Sequence, residues 1–314
     1  MLCLAGVSVA EDLTIDEPVV AASVSIAELT RTGHHLEAVT AVKEKAEGRT
    51  LADILAGAKS AWALGMVATA RELWDEALAH RDFKDAERTR TYLARAILEL
   101  QEDNYDAARS FAEQGISQAE PSELRAQLTL VVAEALRSQG ASSLAEGYYK
   151  RAADEGGVQT KSEALYLLGD TQLNLGRAEE ARFSLVGVET SSRYTPLALR
   201  RLMEIDLTQK NFESVLTWVD EGRENYGADF DDGWTSYARV TALLGLSRND
   251  QARDEVANYK IKHAEQDNWF LLAEAACEAH SADEALSEMT KQGTPTQQLS
   301  MNSMNKNTQG AKHE

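Results

Sequence analysis

The side chains able to do chemistry in this chain are few and scattered. The six histidines are His34, His35, His80, His263, His280 and His313. None stands in the His-Glu-x-x-His or Cys-x2-Cys spacing that would hold a metal ion, and His34-His35 falls where a turn is expected. Of the two cysteines, Cys3 lies in an apolar N-terminal stretch. Cys277 follows the apolar run Leu271 to Ala276, which predicts a small buried hydrophobe rather than a reactive thiol. The glycines fall at expected helix turns and ends, and no strand-flanked Gly-x-Gly-x-x-Gly or Walker loop occurs. The 51 Asp and Glu residues read as a solvated acidic surface, since only folding could bring two of them into an acid–base pair. The chain is therefore expected to be non-enzymatic, with no metal and no cofactor. The chemistry left to it is that of binding, through aromatic, Arg and amide side chains.

Elements must hold those side chains, and the composition favours helices. Prolines number four, aromatics are 6%, and Ala, Leu, Glu and Arg are abundant; these residues lose little rotamer freedom in a helix. No convincing strand alternation occurs. The formal charge of −19 repels a nucleic-acid backbone or an anionic membrane, and no segregated basic patch offsets it, so neither is expected as the main partner. No stretch reaches the roughly 18 apolar residues of a spanning helix.

A repeated pattern organises the chain. Leu165 to Val188 places Leu165, Leu168, Gly169 and Gln172 at i, i+3, i+4 and i+7, then Gly176 at a turn, then Ala181, Leu185 and Val188. This spacing predicts two short amphipathic helices joined by a tight turn. Small residues recur at the position of Ala181: Ala38, Ala70, Ala108, Ala145, Ala181, Val215, Ala252 and Ala285, separated by 32, 38, 37, 36, 34, 37 and 33 residues. Val215 departs from the Ala pattern. Eight helix pairs are therefore expected. In the third, Asn104-Tyr105-Asp106 makes the turn, about two residues longer than its counterparts; Pro121 opens the fourth and Pro196 the sixth. The eighth runs through Trp269, Leu272, Ala273 and Ala276 and returns through Ala285 and Met289, with Trp74 and Trp269 in repeat cores.

These residues resemble the tetratricopeptide (TPR) pattern W-x2-L-G-x2-Y…A-x3-F, whose period is 34 residues. Leu165 stands for the Trp, Gln172 for the Tyr and Leu185 for the Phe, so the likeness lies in size and spacing. The resemblance implies an all-α fold, a right-handed α-solenoid of about eight antiparallel helix pairs spanning residues 19–291. It also implies a concave face of first helices that binds a protein or peptide. Carried onto this register, that face holds Lys59, Trp62, Arg95, Arg137, Tyr166, Asp170, Asn174, Arg200, Glu204, Trp234 and Tyr237. Where some TPR domains clamp a terminal carboxylate with Lys and Asn, this chain has residues such as Tyr166 and Asp170, so that mode is not expected. For the aromatics the competing role is helix packing, and for the arginines a salt-bridged surface.

The ends read differently. Met1 to Ala10 is apolar and closes on Ser8-Val9-Ala10, like the end of a truncated signal peptide, although no Lys or Arg precedes it. Export to the periplasm and an ordinary apolar terminus of a cytoplasmic chain both stay open. Residues 11–18 form a connector, and the polar stretch 292–314 is expected to be a disordered tail. The leading functional expectation is a peptide-binding adaptor, in cell-envelope assembly or secretion if exported. The alternatives are a self-assembling structural protein, for which homo-oligomers are expected, and the regulatory repeat domain of an enzyme complex.

Overall fold

The structure is a computed structural model and describes residues 24–45, 48–80, 83, 85–120 and 122–292. The leader 1–10 with Cys3, the connector 11–18, the expected helix start at Val19, Pro121 and residues 293–314 lie outside the described residues.

Among the described residues every regular element is helical. Helix α1 (Ile26–Arg31) pairs with α2 (His35–Glu44), α3 (Leu51–Ala63) with α4 (Val67–Ala79), and α5 (Asp85–Gln101) with α6 (Tyr105–Gln118). Next, α7 (Glu123–Ser138) pairs with α8 (Ser142–Glu155), α9 (Val158–Asn174) with α10 (Ala178–Val186), α11 (Thr195–Gln209) with α12 (Phe212–Tyr226), and α13 (Gly233–Gly245) with α14 (Asn249–Lys262). A last helix, α15 (Asn268–Gln292), follows. The chain divides into two compact units, Met1–Ala119 with α1 to α6 and Glu120–Glu314 with α7 to α15.

One turn recurs in all seven pairs. Its hinge is a left-handed residue, Gly33, Gly65, Asp103, Gly140, Gly176, Lys210 or Ser247, with φ between 58° and 82°. The amide after the hinge donates to the carbonyl five residues back, as Arg177 does to Gln172 at 2.9 Å and Asn211 to Asp206 at 2.8 Å. The hinge amide itself reaches three residues back, as Gly176 does to Leu173 at 2.8 Å. This pair of bonds satisfies the last carbonyls of the first helix and reverses the chain. Five residues past each hinge stands Ala38, Ala70, Ala108, Ala145, Ala181, Val215 or Ala252, each fully buried. In the fifth pair the first helix meets that residue with little bulk of its own: at Gly169 an added Cβ would lie 2.6 Å from the Leu185 Cγ and 3.2 Å from the Ala181 carbonyl oxygen. Gly169 and Ala181 thus let two backbones approach, and larger side chains such as Leu185 and Trp74 fill the space beside the contact.

Three expectations are corrected. The third turn is no longer than the rest: Asp103 is its hinge, Tyr105 and Asp106 already belong to α6, and the extra chain lengthens α5 to 17 residues. The eighth pair is one continuous helix, α15, of 25 residues, in which no residue takes the left-handed conformation that turns the other seven pairs. Trp269 consequently lacks a returning helix to cover it; it is 46% exposed and packs on Tyr237 instead of filling a core. Cys277 is buried as expected, and burial pushes its thiol pKa up.

The hinge offers a test with opposite signs at two sites. A non-Gly residue in the left-handed region costs about 1–2 kcal/mol, against about 0.5–1 kcal/mol for the greater chain entropy of Gly. Lys210→Gly should therefore raise stability by about 0.5–1 kcal/mol, and Gly176→Val should lower it by more than that, both read by denaturant unfolding of the full chain.

Candidate functional site

In the second unit, the turn after α9 and the adjoining face of α11 enclose a cleft of about 380 Å³. Its lining includes Asp170, Asn174, Arg201, Glu204 and Thr208. Asp170 and Asn174 stand one turn apart on α9, and Glu204 and Thr208 one turn apart on α11, so each helix presents a polar stripe to the cleft. The guanidinium of Arg201 bridges the two stripes, 2.8 Å from Asp170 and 2.7 Å from Glu204. Tyr166 borders this group and stacks on Tyr194 with ring centroids 5.7 Å apart. Burial first and the Asp170 charge second push the Tyr166 phenol up, and burial and Glu163 push Tyr194 up to about 12. Both phenols therefore stay protonated at neutral pH and can donate hydrogen bonds. Asn174 is exposed at the cleft edge, and a bound chain could meet both its donor and its acceptor.

The structure thus brings together four of the residues expected from sequence, Tyr166, Asp170, Asn174 and Glu204. It adds Arg201, where the sequence register points to Arg200 instead. Neighbours on a helix point about 100° apart, so only one of two adjacent arginines can face a given cleft. Arg200 turns toward the next pair, donating to Asp232 at 2.7 Å and lying 5.1 Å from the Phe230 ring and 5.5 Å from the Trp234 ring. Trp234 is thereby packed under a guanidinium, and Tyr237 lies 5.3 Å from Trp269.

The remaining candidates do not join the cleft. Arg137 makes a two-pronged pair with Glu134 at 3.1 and 2.9 Å, and Glu134 also accepts from the buried Tyr149 hydroxyl, so Arg137 braces α7 against α8. In the first unit, Lys59 is exposed beside a small cleft of about 110 Å³ with Glu87 and Arg90. Trp62 packs edge-on against Trp74 at 5.4 Å and donates its indole N–H to Gln101 at 3.1 Å. Arg95 is corrected outright as a surface residue: it is 6% exposed, paired to Asp75 at 3.0 Å and to Glu99, and stacked over Phe111. Its charge is consumed inside the unit, because burying Glu99 requires cationic partners.

Another carboxylate beside the cleft is also committed. Asp206 is fully buried and accepts from Arg182, from Asn211 at 3.1 Å and from the Trp218 indole at 2.8 Å. Burial alone would raise its pKa, but these donors together hold it below the ordinary carboxylate value.

No family model matches the chain, and no curated protein matches it. Solved structures do. The apo form of RapI aligns over 85% of this chain and 84% of its own, at 13% identity and a TM-score of 0.57. The fold is TPR-like. A tetratricopeptide repeat protein from Parabacteroides merdae ATCC 43184 aligns over 82% of this chain and 94% of its own, at 11% identity and a TM-score of 0.48. MamA MSR-1 C2 aligns over 51% and 87%, at 16% identity and a TM-score of 0.41. At such identities the likeness concerns the fold, and the TPR-like chain must be read from its own surface.

Asp206 supplies a pH test. Its folded pKa is depressed, so its stabilisation is present above the unfolded value of about 4 and is lost as pH falls through the lower folded value. Asp206→Asn should cost about 1–3 kcal/mol at neutral pH, because a neutral amide replaces the buried carboxylate that accepts from Arg182, Asn211 and Trp218. It should also flatten the decline in stability below about pH 4. Denaturant unfolding across that range reads both effects.

Proposed function

We propose that this chain is a non-enzymatic binding scaffold that takes a polypeptide segment in the cleft between α9 and α11. The observation that carries this reading is the convergence of Asp170, Asn174, Arg201 and Glu204 on one open cleft, with Tyr166 beside Asp170 and Arg201. Most other arginines near the first helices are spent on holding the array together. Phenol, amide, guanidinium and carboxylate groups on two rigid helices can pair with the backbone and side chains of an extended or helical segment. Arg201 need not lose its charge partners when a ligand acid or carbonyl arrives, since its fork has five N–H donors.

A role in cell-envelope assembly or secretion rests on the N-terminal sequence alone and belongs to the same proposal. Intact mass of the purified chain, showing whether residues 1–10 have been removed, decides that part.

The cleft is tested by filling it from its edge. Tagged full-length chain is recovered from the cells that produce it, and its partners are compared with those of Asn174→Arg and Asp170→Ala/Arg201→Ala. A partner depleted about tenfold or more in both variants is expected; an unchanged partner list would remove the cleft from the proposal. The exposed Trp269, Leu271 and Leu272 on α15 favour self-assembly as a second reading. Sedimentation that shows one monomeric species at all usable concentrations contradicts it.

A further inference from the structure

Two exposed positions of the second helices are polar or small in six of the seven pairs, and the fifth pair breaks the pattern. Seven residues past the hinge the seven pairs have Thr40, Glu72, Ser110, Gly147, Phe183, Thr217 and Asp254, all exposed. Three residues further they have Lys43, Asp75, Glu113, Lys150, Val186, Asp220 and Ala257, again all exposed. The fifth pair alone places a large apolar residue at both positions, Phe183 at 85% exposure and Val186 at 58%. Being three apart on α10, the two share a face. Nothing in the packing of the pair requires either, because Ala181 and Leu185 already fill its core.

Phe183 stands over a groove of about 590 Å³ between α8 and α10. The groove floor is mostly apolar, made by Ala153 of α8 and by Leu165 and Leu168 of α9, with Gln172 and Ser184 beside them bonded to each other. Its rim carries three carboxylates, Asp154, Glu179 and Glu180, against one ammonium, Lys150. Glu179 accepts from Gln209 at 2.6 Å and Glu180 lies 3.4 Å from Arg177, while the exposed Asp154 points its charge to solvent. An apolar floor with an acidic rim, between two helices, is complementary to an amphipathic helix with Lys or Arg beside its apolar stripe. A second copy of this chain fits less well, since it brings a charge of −19 to the same surface.

We infer that the groove between α8 and α10 is a second docking site, separate from the α9–α11 cleft, and that its occupant is a basic amphipathic helix of a partner protein. Phe183 is the apolar anchor and Asp154 and Glu180 are the charge readers.

The test uses the full chain and a fluorescein-labelled Leu/Lys amphipathic helix of about 14 residues, followed by anisotropy at about 0.15 M salt. A peptide of the same composition, scrambled to abolish its apolar stripe, measures general attraction to the acidic chain. Saturable binding of the amphipathic helix is expected, weakened about tenfold or more by Phe183→Ser and by Asp154→Lys/Glu180→Lys. Thr217→Ala, one pair further along, should change nothing. Phe183 is so exposed that Phe183→Ser, the residue type already present at Ser110, should leave the unfolding midpoint unchanged, which separates lost binding from lost fold. The inference is overturned by no saturable binding, by equal binding of the scrambled peptide, or by equal binding by Phe183→Ser. A wild-type dimer that Phe183→Ser dissociates also overturns it, by assigning the face to a second copy.

Discussion

The constraint on which the rest of this structure depends is a left-handed turn placed five residues ahead of a buried small side chain. The turn fixes where the second helix starts, and the small residue fixes how closely it can lie against the first. Because that spacing is constant, variation in repeat length is pushed into the helices and the links between pairs, as in the 17 residues of α5. Asp103, Lys210 and Ser247 show how strong the requirement is, for there the chain accepts the left-handed strain of a side chain to keep the geometry. Where no hinge residue occurs, in α15, the pair does not form and Trp269 and Leu272 stay at the surface.

Ion pairs tie successive pairs together, and they recur in the same frame. Glu99 and Asp206 each stand four residues before a hinge and are buried, and each accepts from an Asn just after that hinge, Asn104 or Asn211. Each also receives an Arg six residues past the preceding hinge, Arg71 for Glu99 and Arg182 for Asp206. A buried carboxylate is costly unless its oxygens are satisfied, so these arginines are not available to a ligand. Glu123 and Asp267 act similarly at helix starts, accepting the amides of Gly157 at 2.6 Å and Gly233 at 3.2 Å from neighbouring pairs. Subtracting such commitments leaves the few polar groups of the α9–α11 cleft as binding candidates.

The helix pairs were legible in the sequence because they depend on local rules: small residues at constant spacing, Gly at hinges, apolar residues at helical intervals. The Asp103 hinge was misplaced because a left-handed Asp carries no signature that separates it from the Asn-Tyr-Asp that follows. The absent eighth turn was overlooked because Trp269, Leu272 and Ala273 fit the first half of a repeat, and what was missing lay further on. The binding face was only partly legible. Tyr166, Asp170 and Asn174 share a face of α9 by periodicity alone, but the choice between Arg200 and Arg201 depends on Asp232 and Asp170, residues of other pairs. The burial of Arg95 depends likewise on Asp75 in the preceding pair. Such distant partnerships leave no trace in local spacing.

The result is a TPR-like fold whose charged side chains mostly hold its own helix pairs together, leaving the polar groups of the α9–α11 cleft in the second unit to meet a partner. Its most direct test is photo-crosslinking in the producing cells, with a benzoylphenylalanine placed at Thr208 on the cleft wall or at Thr217 on the outward side of α12. A polypeptide crosslinked from position 208, absent from 217 and lost when Asn174 is changed to Arg, is the predicted result. No crosslink from 208, or one that persists with the cleft filled, would contradict it.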